Sequence, residues 1–362
     1  MLPPKIKRNI ARIVPFGLFW VIFSLLFSFV EKGVLGDLQY YPSTGNPYNF
    51  SGIVFITAAS SLVTGLFVGT IEIIYLNKLF TQKCFSKKIA YKTTIYLVII
   101  IIFLLISALI NNAIKLQTNL FDKSLWFSVW AFLSNFAFWS IVLGIAATIV
   151  VSLFYAEVSD NLGQGVLINF FTGKYHTPTE EERIFMFLDM KSSTTIAEKL
   201  GHVMYFELLR EYYSDLSDSI IEYAGEIYQY IGDEIVVSWK LKAGLHNNNC
   251  IQCFYTMRKA LKKKQEKYNV KFGLMPAFKA GFHFGKVTTG EIGVIKKEII
   301  FTGDVLNTTA RIQELCNNYN ADILISNDLI NKMNLNSTFQ IKSLGKTNIR
   351  GRDKKVELFT IL

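Results

Sequence analysis

The sequence is poor in cysteine, histidine and charge. Its four cysteines, Cys84, Cys250, Cys253 and Cys316, are too few and too scattered over 362 residues for a disulfide framework. That excludes a small disulfide-stapled scaffold and fits a reducing compartment. Cys250 and Cys253 form a lone CxxC with no second pair or neighbouring histidine to complete a tetrahedral zinc shell, so they read as small core residues. Charged residues make up only 18% of the chain against 51% hydrophobic, and the mean hydropathy is +0.30. Such a chain is too apolar to be disordered and argues against one compact soluble core.

The net charge of +10 is not spread evenly. Up to Tyr155 there are 12 Lys/Arg against 4 Asp/Glu, and beyond it 26 against 24, so the excess belongs to the apolar half. Basic charge interleaved with long apolar runs marks membrane topology, whereas a nucleic-acid binder carries a basic patch on its polar domain. Nucleic acid is therefore not expected as a partner; a lipid bilayer is.

Four nearly uncharged runs, residues 14–30, 50–71, 93–110 and 126–155, are each long enough to cross a hydrocarbon core as a helix, which takes about 20 residues. Lys5, Lys7, Arg8 and Arg12 precede the first run, and Lys78, Lys83, Lys87, Lys88 and Lys92 lie between the second and third, which puts both flanks on the cytoplasmic side. Residues 31–49, rich in turn formers such as Pro42, Gly45, Asn46 and Pro47, and residues 111–125 then lie outside. Glu31-Lys32-Gly33-Val34 offers no small-x-small cleavage site, so the first run reads as a span rather than a signal peptide. An integral membrane protein of the plasma or inner membrane, with both termini cytoplasmic, is the expectation. Glu72, the one acid at a span edge, is a sensing or ion site on one reading; within two turns of Asn77-Lys78 it reads better as an interfacial residue reaching headgroups or water. No charged or proline-broken span argues for a transport path.

The spans thus set residues 1–155 apart as a four-helix transmembrane domain. Residues 156–182 turn polar and form a cytoplasmic linker, in which Leu162, Val166 and Phe170 recur at a spacing that suits a short amphipathic helix pairing with its copy. Residues 183–362 form a third segment of short alternating elements, an α+β domain with a central mixed or antiparallel sheet. Residues 184–188, IFMFL, read as a buried strand that stops at Asp189. Residues 226–231 and 234–239 flank Gly232-Asp233 as a hairpin. Strands are also expected over 278–284 and 287–292 and in the tail 339–362, with helices over 248–267 and 305–317. Asp189 and Asp233 meet if their strands are neighbours, and paired carboxylates at strand ends suit hard divalent cations, although acids at strand ends and turns are common without any such role. Asn307 and Arg311, four apart, share a helix face.

Four motifs carry a resemblance. They are Phe187-Leu188-Asp189-Met190-Lys191-Ser192-Ser193-Thr194, Ile231-Gly232-Asp233, Gly303 to Arg311 with Leu306 where valine is usual, and Leu344-Gly345-Lys346-Thr347-Asn348-Ile349-Arg350-Gly351. In order and spacing they resemble the catalytic domain of class III nucleotidyl (adenylate/guanylate) cyclases. The resemblance implies that Asp189 and Asp233, with the Met190 carbonyl, hold two Mg²⁺ or Mn²⁺ ions per site. It also implies that Asn307 orients the ribose, that Arg311 meets charge growing on the α-phosphate, and that Arg350 holds the terminal phosphates. The base-reading positions fall on Gln229 and Ile300, which match neither the adenine nor the guanine pair of the family; Thr302 supplies a hydroxyl if its strand is bulged by two residues. The implied protein is a membrane-anchored cyclase acting on ATP, less readily GTP, as a homodimer with sites shared across the interface. The alternative is a nucleotide-binding signalling receptor module with little turnover.

Overall fold

The computed structural model describes residues 2–41, 47–80, 83–119, 121–163, 165–335, 339–350 and 354–361. Pro42, Gly45, Asn46, Gly351 and Leu362 lie outside the described residues, as does the side chain of Lys78. The chain divides into two compact units, one of residues 7–167 and one of residues 168–362 together with residues 1–6.

The first unit is helical. α1 (Pro4–Leu35) opens on proline, whose missing N–H costs nothing in a first turn. α2 (Phe50–Ile71) is capped by Asn49, whose side chain accepts from the Gly52 N–H. It runs on through a π-helical turn (Glu72–Leu76) into α3 (Asn77–Leu79), and α4 (Phe85–Leu116), α5 (Lys123–Ser134) and α6 (Phe136–Leu162) follow; the short α7 (Val166–Thr172) spans the boundary between the units. Among the described residues four helices are long and apolar enough to cross a membrane: Pro4–Leu35, Phe50–Leu76, Phe85–Ile114 and Phe136–Leu162. Phe16, Trp20, Val68, Tyr96, Ile149 and Leu153 pack together inside, while Phe55, Phe67, Phe103 and Leu143 stay exposed, the arrangement lipid favours.

Three expectations change here. Residues 126–155 are not one span, because Asn135 adopts an extended conformation and its side chain caps α6 by accepting from the Ala137 N–H at 2.9 Å. The twelve-residue α5 is too short to cross, and α6 alone is the fourth span. α6 also continues seven residues past Tyr155, and it stops before Gly163 and Gly165, so no single helix links Leu162 to Phe170. Finally, Glu72 does not reach headgroups or water: it is 2% exposed and accepts hydrogen bonds from Lys92 and Tyr96 inside the bundle.

The second unit is built on an eight-stranded mixed sheet. Its strands are β1 (Thr179–Met190), β2 (Glu226–Ile231), β3 (Glu234–Lys240), β4 (Phe278–Ile292), β5 (Glu298–Thr302), β6 (Ile323–Ser326), β7 (Ile341–Thr347) and β8 (Val356–Ile361), in the order β2-β3-β1-β4-β6-β8-β7 with β5 on β4. Among the described residues only the β4–β6 pair is parallel. Alternation along β1 makes two cores. Ile184, Met186 and Leu188 face α8 (Ser193–Glu222), α9 (Leu241–Leu245), α10 (Asn249–Lys263) and α11 (Gln265–Phe272), and Cys250 and Cys253 are buried among them. Phe185 and Phe187 face α12 (Asp304–Glu314), which precedes the one-turn α13 (Asn327–Ile330). β4 is one continuous strand rather than two, because β1 pairs with it from Thr179↔Thr289 to Met190↔Phe278 without a break. β1 correspondingly begins inside the segment read as linker, where Glu181 and Glu226 both bind the guanidinium of the buried Arg183 at 2.7 Å.

Candidate active site

The register of the sheet brings the two acids together. Leu188 of β1 pairs with Ile235 of β3, so the β2–β3 turn lies beside Asp189 at the strand end. Gly232 takes φ +63 in that turn, a conformation glycine adopts without strain, and Asp233 follows it at the tip. The Tyr213 hydroxyl donates to the Gly232 carbonyl and fixes the hairpin from α8. Burial, and next the facing Asp233 carboxyl, raise the pKa of Asp189 above the usual range. Burial, followed by the charges of Asp189, Asp233 and Glu314, pushes Glu234 up to about 7. Asp233 Oδ2 is buried and has no hydrogen-bond donor among the described residues. Two crowded carboxylates with an unmet buried oxygen suit a divalent cation, and the donor set, all oxygen, fits Mg²⁺ or Mn²⁺. Among the described residues no group of three or more His, Cys, Asp or Glu is placed as a metal cluster, so the site is a carboxylate pair.

Two residues at this site escaped the sequence reading. Lys279 lies opposite Asp189 on β4, with Nζ 3.4 Å from Asp189 Oδ2 and 3.2 Å from Asn317 Oδ1. Gln313, on the inner face of α12, donates from Nε2 to the same Asp189 oxygen at 3.1 Å. Gln313 can approach because β4 carries Gly281 beneath it; a side chain there would collide with the Gln313 backbone. Lys279 alternates as an inward position of a long strand, and Gln313 falls two residues after the Asn/Arg pair, so neither stands out by pattern.

Asn307 and Arg311 sit on the opposite face of α12. Val305, Thr308, Thr309, Ile312 and Gln313 are buried against the sheet, leaving Asn307 exposed and Arg311 half-buried. Arg311 Nη1 donates to the carbonyl of Arg350, whose side chain is exposed. One chain therefore joins Asp189, Met190 and Asp233 at a strand end and Asn307, Arg311 and Arg350 at a separate, outward face. The base-reading positions are also open. Gln229 is exposed on the edge strand β2, and Ile300 is half-buried opposite Gly290. Their neighbours Tyr228 and Phe301 touch, with ring centres 4.8 Å apart. The two-residue bulge expected near Thr302 is not there: β5 pairs with β4 in unbroken register, and the Thr302 hydroxyl donates to the Thr288 carbonyl at 3.3 Å.

The family model described as adenylate and guanylate cyclase catalytic domain matches residues 176–362, just over half of the chain. The chain belongs to this cyclase family. Adenylate cyclase 2 of Rhizobium meliloti (strain 1021) is 31% identical over 209 residues, covering 58% of this chain and 58% of that protein. The adenylate cyclase of Anabaena cylindrica is 24% identical over 183 residues, covering 49% of this chain and 36% of its own length. The chain thus spans about half the length of these curated relatives. A bacterial light-regulated adenylyl cyclase of known structure has a similar fold, with a TM-score of 0.53 at 20% identity over 63% of this chain and 66% of that one.

Proposed function

We propose that the chain is a membrane-anchored nucleotidyl cyclase that converts ATP, less readily GTP, to the 3′,5′-cyclic nucleotide and pyrophosphate for intracellular signalling. The observation that carries this is the crowded Asp189/Asp233 pair with its unmet Asp233 oxygen, lying in a domain of the cyclase family. The adenylate cyclases among its relatives favour ATP.

In the reaction the ribose 3′-oxygen bonds to the α-phosphorus, the bridging α–β P–O bond breaks, pyrophosphate leaves with that oxygen, and the hydroxyl proton passes to solvent. Asp189, Asp233 and the Met190 carbonyl would hold two divalent cations, Mg²⁺ or Mn²⁺, which when bound would supply Lewis acidity toward the hydroxyl and the triphosphate. Arg311 places a guanidinium where charge grows on the α-phosphate oxygens, Asn307 holds the ribose, and Arg350 meets the terminal phosphates. Gln313 and Lys279 keep the Asp189 carboxylate in one orientation. Gln229 offers both a donor and an acceptor to a purine edge, and Ile300 offers shape.

Because Asn307 and Arg311 face outward on the chain that carries Asp189 and Asp233, a second copy brings its own pair to the first copy's acids, giving a homodimer with two equivalent shared sites. The basic flanks favour a cytoplasmic side for both termini, where nucleoside triphosphates are available. Reporters fused after Lys88 and at Leu362 are expected to report cytoplasm, and one near Gly45 the outside; an external C-terminus would contradict the scheme. Incubation of the purified full chain with ATP or GTP and Mn²⁺ is expected to yield cyclic AMP and pyrophosphate. Nucleotide binding with no cyclic product from either would show a binding module instead.

A further inference from the structure

Three ionisable side chains are sealed inside the helical unit, one lysine touching two acids. Lys92 of α4, 1% exposed, donates from Nζ to Glu72 Oε1 at 2.5 Å and to Glu157 Oε1 at 2.9 Å. One turn along α4, the Tyr96 hydroxyl donates to Glu72 Oε2 at 3.1 Å; one turn back, Lys88 donates to Glu157 Oε2 at 3.3 Å. Every carboxylate oxygen has a donor, and two acids face two ammonium groups. Positions 88, 92 and 96 share one face of α4. That face holds the end of α2 on one side and α6 on the other.

Packing alone does not call for this arrangement. Apolar replacements of buried ion clusters are often as stable as the cluster or more so, and the best-attested use of such a cluster is to set a register or a switch. Ionisable groups within membrane helices are rare and go with function. The π-helical turn begins at Glu72 itself, and such turns within helices concentrate at functional sites. Glu157 lies in the last turns of α6, where Asp160 also pairs with Arg12 of α1 and accepts from Asn77 of α3 at 2.9 Å. The end of α6 is thus fastened by charge to α1, α3, α4 and the end of α2, and the chain leaves it through α7 for β1.

We propose that Lys92, bridging Glu72 and Glu157, is the pin of a charge lock that fixes the end of α6, and that this position governs the output of the catalytic unit. The membrane half then regulates and does more than anchor. The output half of the proposal rests on the cyclase reading above. Releasing either carboxylate strands a buried charge, so the lock holds or opens as a unit rather than yielding by degrees.

The test uses the full chain in lipid nanodiscs, in a Cys84→Ser background that removes the exposed thiol, with Ser152→Cys on α6 as a reporter. Ser152 is 1% exposed, so a thiol there is expected to resist maleimide while the lock holds. Lys92→Met is expected to speed labelling and to lower turnover by about tenfold at unchanged KM, a coupling of ordinary allosteric size. The triple change Glu72→Gln, Lys92→Met, Glu157→Gln removes both buried acids with the lysine that bridges them, leaves only the part-exposed Lys88 ammonium, and is expected to do the same; it carries the test if Lys92→Met alone does not fold. Labelling or turnover equal to the parent in the folded triple variant overturns the proposal. A parent chain without turnover refutes the cyclase reading and the output half with it, while the labelling arm still decides whether the lock exists.

Discussion

In the helical unit Glu72 and Glu157 are met oxygen by oxygen by Lys88, Lys92 and Tyr96, whereas in the sheet unit Asp189 and Asp233 crowd each other and Asp233 Oδ2 finds no donor among the described residues. A fully paired buried cluster has nothing left to offer a ligand, and its effect is to fix position. An under-paired one is held together by the surrounding fold and keeps oxygen to offer a ligand. The same contrast appears within the sheet unit. Burial raises Glu181, but the hydrogen bond and charge of Arg183 outweigh it and carry Glu181 below its ordinary 4.5, while Asp189 goes up.

The largest expected effect comes from emptying the under-paired cluster. Asp189→Ala or Asp233→Ala is expected to lower turnover by roughly a thousandfold or more, because each removes several kcal/mol of cation-mediated stabilisation. Cyclic-nucleotide assays on purified variants check this, and retained turnover in either would remove the metal assignment. Loosening the cluster without emptying it gives a smaller change. Gln313→Leu is expected to weaken Mn²⁺ binding by about tenfold, the usual cost of losing a hydrogen bond to a ligating carboxylate. Mn²⁺ titration followed by electron paramagnetic resonance, with Gln313→Glu beside it, separates this from a folding defect, which would show in thermal melting.

The paired cluster in the sheet unit predicts a pH effect. Since Glu181 titrates lower in the folded chain than in the unfolded one, its contribution is present above about 4.5 and is lost as pH falls through its depressed folded value. Acid melting curves are expected to be flatter for Glu181→Gln than for the native chain; parallel curves would show that Arg183 does not hold it. The smallest effect is on base choice. Gln229→Lys is expected to favour ATP and Gln229→Glu to favour GTP, each by a few-fold, about the net worth of one hydrogen bond. Unchanged selectivity in both would show that Gln229 does not face the purine.

Local pattern carried much of this architecture. The apolar runs at 14–30, 50–71 and 93–110 fall within membrane-length helices, the Gly232-Asp233 hairpin forms, and residues 339–362 supply β7 and β8. What pattern could not show was long-range pairing. Glu72 looked interfacial because Lys92 and Glu157 are 20 and 85 residues away, and hydropathy does not say which way a helix faces. β4 looked like two strands because Gly285-Lys286 interrupt its alternation, yet pairing with β1 carries it through. Gln313 depends on Gly281 lying beneath it, a contact between distant segments that no local spacing reveals. Asn135 reads as one polar residue in an apolar run until its side chain is seen capping α6.

The central claim is that one chain carries the acids and a second chain the Asn307/Arg311 face that completes the site. Complementation tests it most directly. Arg311→Ala alone is expected to lower turnover by roughly 10² to 10³, the usual loss of a donor to developing charge. In Asp189→Ala and Arg311→Ala chains co-expressed at equal levels, half of the dimers are mixed. Each mixed dimer has one site bearing both defects and one bearing neither. Activity is expected to return to about a quarter of the native level, the share of intact sites in random two-fold assembly. A mixture no more active than its separate components would contradict the shared site.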